Sequence, residues 1–138
     1  MKIIFPQVFS ELREHLTAVE KKRETLLGGR KINVMNAYPD TETDTPAVII
    51  EEKQNTESLE AKELDSYETL DNIVYEVNIF DNSETKVTVC YELSKEINDF
   101  FMGLDKTVMG FSRTYSSPIP NLSDPYMHRH LMRFQNTK

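Results

Sequence analysis

Apolar residues at Val8, Leu12, Leu16, Val19 and Leu26 recur at helical spacing, while Glu11, Arg13, Glu14, Lys21 and Lys22 fall mostly on other faces. The pattern predicts an amphipathic helix from Pro6 to Leu27. Gly28 and Gly29 should end it, because glycine enters the left-handed conformation that closes a helix. From Lys31 to Ala37 polar and apolar side chains alternate, as in a half-buried strand, and Tyr38-Pro39-Asp40 breaks the run. Ala47 to Ile50 is short and rich in β-branched residues, which favours a strand over a helix. The clearest alternation follows at Leu70 to Phe80, with Ile73, Tyr75, Val77 and Ile79 on one face and a polar turn predicted at Asp81-Asn82-Ser83.

Steps of three and four return at Val87, Cys90, Leu93, Ile97, Phe100 or Phe101, and Leu104, predicting a second helix from about Glu84 to Met102 that packs on the sheet. Thr107 to Tyr115 reads as a strand, Ser116 to Pro125 as a loop, and Tyr126 to Phe134 as a last strand. The order is helix, three strands, helix, two strands. It fits an α+β fold, a mixed and mostly antiparallel sheet of about five strands with two helices packed on it, better than a parallel βαβ series.

A chain of 138 residues suits one domain spanning 1–138, and 38% hydrophobic residues is lean enough for a partner subunit to cover some apolar surface. The single cysteine, Cys90, excludes an intrachain disulfide and reads as a buried, inert thiol. No apolar run approaches the ~20 residues of a membrane span, and the N-terminus lacks a basic region followed by a long apolar stretch. Neither a membrane nor export by a signal peptide is expected.

The net charge of −7 opposes specific nucleic-acid binding, which needs clustered cations. That charge is localised. Asp40 to Glu76 holds twelve acids against Lys53 and Lys62, so this stretch carries −10 and the rest of the chain +3. A mobile acidic loop is expected at about 54–71, bearing Glu57, Glu60, Glu63, Asp65, Glu68 and Asp71, and such a surface lets DNA pass without sticking.

Candidate chemistry is sparse. Pro39-Asp40 followed by Glu51-Glu52-Lys53 resembles the divided acidic and Glu-x-Lys pattern of restriction-type nucleases, in which Asp40 and Glu51 would hold Mg²⁺ and Lys53 would assist water or phosphate. In a chain with 23 acids, and without a basic surface for DNA, this is the second reading. Asp40, Glu42, Asp44 and Glu51 also match a calcium-loop spacing, but Thr45 stands where glycine is needed and Pro46 follows. His128 and His130 share a strand face, with His15 remote in sequence; as surface or contact residues they need no metal. Gly28-Gly29-Arg30 lacks the Lys-Ser/Thr of a phosphate loop. No catalytic, cofactor or metal residues are assigned.

The element order, with Pro46-Ala47-Val48-Ile49-Ile50-Glu51, Tyr75-Glu76-Val77-Asn78-Ile79-Phe80, the helix around Tyr91 to Phe101 and Tyr126-Met127-His128-Arg129, resembles the tail terminator or tail completion proteins of long-tailed bacteriophages over nearly the whole chain. The resemblance implies a non-enzymatic virion protein assembled in the host cytoplasm. It would form a ring, commonly a hexamer, that caps the tail tube, ends tail polymerisation and meets the head connector, with DNA only passing through. The acidic loop would then face the lumen or the tube. A small adaptor that binds one protein through a sheet edge is a third expectation.

Overall fold

The computed structural model describes residues 3–38, 45–57, 71–82, 88–104, 111–119 and 127–136. Two long helices, α1 (Phe5–Lys22) and α3 (Thr88–Leu104), and a four-residue turn of helix, α2 (Glu24–Leu27), accompany five strands: β1 (Asn33–Met35), β2 (Ala47–Glu57), β3 (Asp71–Asn82), β4 (Ser112–Ile119) and β5 (Met127–Asn136). The strands form one sheet in the order β1-β2-β3-β5-β4. Only β1 and β2 run parallel, and the other three pairings are antiparallel. This is the mixed α+β architecture that the apolar periodicity predicts.

The core forms where the inner face of the sheet meets the helices. Val8, Leu12, Leu16 and Val19 of α1 and Cys90, Leu93, Ile97 and Phe101 of α3 join Val48 and Ile50 of β2, Ile73, Tyr75, Val77 and Ile79 of β3, and Met132 and Phe134 of β5 in a single buried cluster. Each buried aliphatic side chain contributes about 1.5–3 kcal/mol relative to exposure. The thiol of Cys90 is buried as expected, and burial, with Asp81 nearby, pushes it up to about 12, which makes it a poor nucleophile.

Several element ends differ from the sequence expectation. The first helix breaks at Arg23, whose guanidinium turns toward α3 and meets Glu92 at 3.1 Å and Glu96 at 3.1 Å. Leu27, rather than Leu26, then becomes the buried residue, and Gly28 caps α2 in the left-handed conformation at φ 64°. β1 is shorter than predicted because the Ile32 amide donates to the Glu20 carboxylate at 2.7 Å instead of joining the sheet. β2 runs on to Glu57, where a loop was expected from Gln54, and β3 continues through the predicted turn at Asp81-Asn82. Likewise Ser116–Ile119, expected as a loop, completes β4. In each case a neighbouring strand supplies ladder hydrogen bonds that favour extension whatever the side-chain polarity. The α3 start expected at Glu84 and the β4 start expected at Thr107 lie outside the described residues.

Helix α1 is clamped to α3 by a buried carboxylate. Glu96 accepts from Lys22 Nζ at 2.9 Å and from Arg23 Nε and Nη2 at 3.3 and 3.1 Å, while His15 Nε2 lies 3.1 Å from its backbone oxygen. Burial alone would raise the Glu96 carboxyl, but the Lys22 and Arg23 bonds outweigh it and hold the group below its ordinary value. A carboxyl depressed in the folded state stabilises fully above its unfolded value of about 4.3, and that contribution is lost as pH falls through the folded value. Glu96→Gln should therefore cost about 1.5 kcal/mol at pH 7. Urea midpoints measured from pH 7 to pH 3 should fall less steeply in Glu96→Gln than in the wild type.

Candidate functional site

The face of the sheet that carries no helix is neither bare nor uniformly polar. Register places Ala47, Phe80, Arg129 and Ile119 in one row across it, Ile49, Asn78, Leu131 and Ser117 in the next, and Glu51, Glu76, Arg133 and Tyr115 in a third. Ala47, Ile49, Asn78 and Leu131 are buried although they lie outside the helix-covered core. Long side chains make the roof. Arg129 donates from Nε and Nη2 to Asn78 Oδ1 at 2.9 and 2.7 Å and lies 5.4 Å from the Phe80 ring centre. Asn78 in turn donates to Glu76 Oε1 at 3.2 Å, and Arg133 Nε donates to Glu76 Oε2 at 3.1 Å. Arg133 also sits 5.5 Å from the centre of the Tyr115 ring.

One polar chain therefore crosses from Phe80 to Tyr115, and each member holds its neighbour's rotamer. Tyr38 extends it by setting its ring edge-on to Phe80, 6.3 Å between centres. Partial burial, only partly offset by Arg129, pushes the Tyr38 phenol above its ordinary value, so it stays a neutral donor. Tyr38 and Tyr115 remain 46% and 40% exposed. Ordered tyrosines and arginines of this kind dominate binding energy at protein interfaces, because little entropy is left to lose on contact. This constellation is nearly silent in the sequence. Its only signal was Arg129 and Arg133 at even spacing on one strand, and their partners became visible only through strand register.

The acidic residues expected to act together divide between regions. Glu57 and Asp71 are cross-strand partners where the connection joins β2 to β3, so both are strand residues and not part of the loop expected at 54–71, of which 58–70 lies outside the described residues. Glu60, Glu63, Asp65 and Glu68 lie outside the described residues. Of the nuclease set, Asp40 also lies outside them, as do Glu42 and Asp44 of the calcium spacing. Glu51 and Lys53 flank Glu52 at an irregularity of β2, with Lys53 Nζ 3.2 Å from Glu51 Oε1. Glu76, opposite Glu51, is held by Arg133. No group of three His, Cys, Asp or Glu residues able to hold a metal occurs among the described residues.

His128 and His130 share one face of β5, opposite Asp81 and Ile79 of β3, while His15 lies on α1. His15 belongs to the α1–α3 clamp. His130 is buried rather than on the surface, with Nε2 2.8 Å from Ser116 Oγ; burial, with Arg113 adding to it, lowers its proton affinity and keeps it neutral at pH 7. No helix among the described residues is long and apolar enough to cross a membrane.

The described residues form an α+β fold with one helix-covered side of the sheet and one ordered Arg–Tyr side. No protein-family model matches the chain, and no curated protein matches it by sequence.

Proposed function

We propose that this chain is a structural subunit of a long-tailed phage virion, a tail terminator or tail completion protein that caps the tail tube as a ring of identical copies and contributes to joining the tail to the head. The observation that carries this reading is the uncovered sheet face, where the Arg129–Asn78–Glu76–Arg133 chain orders two guanidinium groups and two exposed tyrosines for contact with another protein. A ring gains its strength by repetition, since contacts that are weak singly act together once the circle closes. Its partners are further copies of itself, the tail tube protein and the head connector. The overall negative charge keeps DNA from adhering on its way through.

The Mg²⁺-dependent nuclease built on Asp40, Glu51 and Lys53 is the alternative. Against it, Glu51 already has Lys53 Nζ 3.2 Å from Oε1, and Glu76, its cross-strand partner, is bonded by Arg133 instead of turning a second free carboxylate toward a metal.

Purified protein should appear as rings by negative-stain microscopy, or as caps when mixed with tail-tube subunits, and should sediment as a multiple of the monomer. A protein that stays monomeric with and without tube subunits would overturn the ring, and a monomer that captures one partner would favour an adaptor. Supercoiled DNA incubated with the protein and Mg²⁺ should remain intact. Nicking that disappears in Glu51→Ala and Lys53→Ala would replace the structural reading with the enzymatic one.

A further inference from the structure

The open face of the sheet uses its hydrogen-bond acceptors internally and keeps donors in reserve. Asn78 Oδ1 takes both Arg129 bonds, and the two Glu76 oxygens take Asn78 Nδ2 and Arg133 Nε. In the same row Lys53 Nζ sits 3.2 Å from Glu51 Oε1. Arg129 Nη1 and both Nη atoms of Arg133, by contrast, make no bond among the described residues. The Arg133 side chain is 48% exposed, and the rings of Tyr38 and Tyr115 are exposed beside Phe80 and Arg133. We infer that this face binds an extended, carboxylate-rich segment of another protein, with Arg129 and Arg133 taking the carboxylates and Tyr38 and Tyr115 flanking the bound chain. The inference rests on the proposed role of this face as a protein contact and deepens it by naming the chemistry of the partner.

The two guanidinium groups are placed to act together. Arg129 and Arg133 lie four residues apart on β5 and so share a face, with backbones about 13 Å apart. Arg129 bonds Asn78, whose register partner Leu131 is midway between the two arginines, and this draws its guanidinium toward Arg133. Side chains on every second residue of an extended segment also share a face, at steps of about 7 Å. Carboxylates at such positions can reach both cations. Each guanidinium rests against an aromatic ring, Arg129 at 5.4 Å from the Phe80 centre and Arg133 at 5.5 Å from that of Tyr115. Held in this way, both lose little freedom on binding.

Charge selects the occupant. Among the described strand residues of this face, Lys53, Arg129 and Arg133 stand against Glu51 and Glu76, so its local sign is opposite to the net −7 of the chain. The same face of a second copy would set guanidinium against guanidinium, and like charges repel. A nucleic acid is a long polyanion that also meets the negative field of the rest of the molecule. A short acidic segment meets only the face itself.

Fluorescence anisotropy of a labelled synthetic peptide that alternates glutamate and threonine provides the test. The wild type should bind it at least about tenfold more tightly than the same peptide with glutamine in place of glutamate. Raising NaCl from about 50 to about 500 mM should weaken the binding. Arg129→Gln and Arg133→Gln should each weaken it at least about tenfold with unchanged circular dichroism, while Arg13→Gln, on the exposed side of α1, should leave it as it is. Equal binding of the two peptides by the wild type, or folded arginine variants that bind like the wild type, would overturn the inference. So would tighter binding of oligothymidylate than of the acidic peptide, which assigns the face to nucleic acid. Loss of self-association in a folded Arg129→Gln/Arg133→Gln variant would assign it to a second copy and overturn the inference as well. Rings or caps seen by microscopy beside a failed peptide result would leave the proposed function standing. Peptide binding by a chain that never forms rings or caps would keep this contact and remove the ring.

Discussion

Phe101→Ala should lower the unfolding free energy by about 3–5 kcal/mol, a large part of the 5–15 kcal/mol typical of a domain this size. The ring is fully buried between α3, β5 and Phe111, the residue just before β4. It stacks on Phe134 of β5 with 4.0 Å between ring centres and 16° between planes, and meets Phe111 edge-on at 5.3 Å; Phe111 in turn stacks on Tyr75 of β3 at 5.2 Å. Truncation removes the transfer energy of the ring and leaves a hole that the stiff sheet beneath cannot close. Phe100→Ala, on a half-buried ring beside His15, should cost less than half as much. Urea titration of the two variants checks this, and equal losses would contradict the packing described.

Arg30→Ala should cost about 3 kcal/mol, toward the low end of the range for breaking a buried ion pair because the Arg30 side chain is 37% exposed. Its partner Asp81 is fully buried on β3; Oδ1 accepts from Arg30 Nη1 at 2.7 Å, and Oδ2 has no hydrogen-bond partner among the described residues. Removing the guanidinium strands a charge away from water. Arg30 also donates from Nε to the Leu27 carbonyl at 2.9 Å, tying the end of α2 to the same point. Asp81→Asn in the Arg30→Ala background should recover stability, since a neutral amide no longer demands the missing cation. A double variant as unstable as Arg30→Ala alone would show that the loss came from the Leu27 contact instead.

The parts of the fold that follow from local pattern were legible in the chain. Ile73, Tyr75, Val77 and Ile79 alternate in sequence and all four are fully buried; Val8, Leu12, Leu16 and Val19 repeat at helical steps and all four face the core. Gly28 ends its helix as its backbone freedom suggests. The misplaced strand ends share one cause. Gln54–Glu57 and Ser116–Ile119 look like loop by side chain, but their backbones are drawn into the sheet by β3 and β5. The candidate surface was hidden for the same reason, because Arg129 finds Asn78 from 51 residues away and Arg133 finds Glu76 from 57.

What the residues decided by themselves is which face of each element avoids water and where the charge collects along the chain, since side-chain period and composition are local properties. Tertiary structure decided the strand order, the parallel placement of β1, the burial of His130 and Asp81, and the row of arginines and tyrosines across the open face. Those depend on which strand lies beside which and in what register, and that choice is made by backbone hydrogen bonding and packing between segments far apart in the chain.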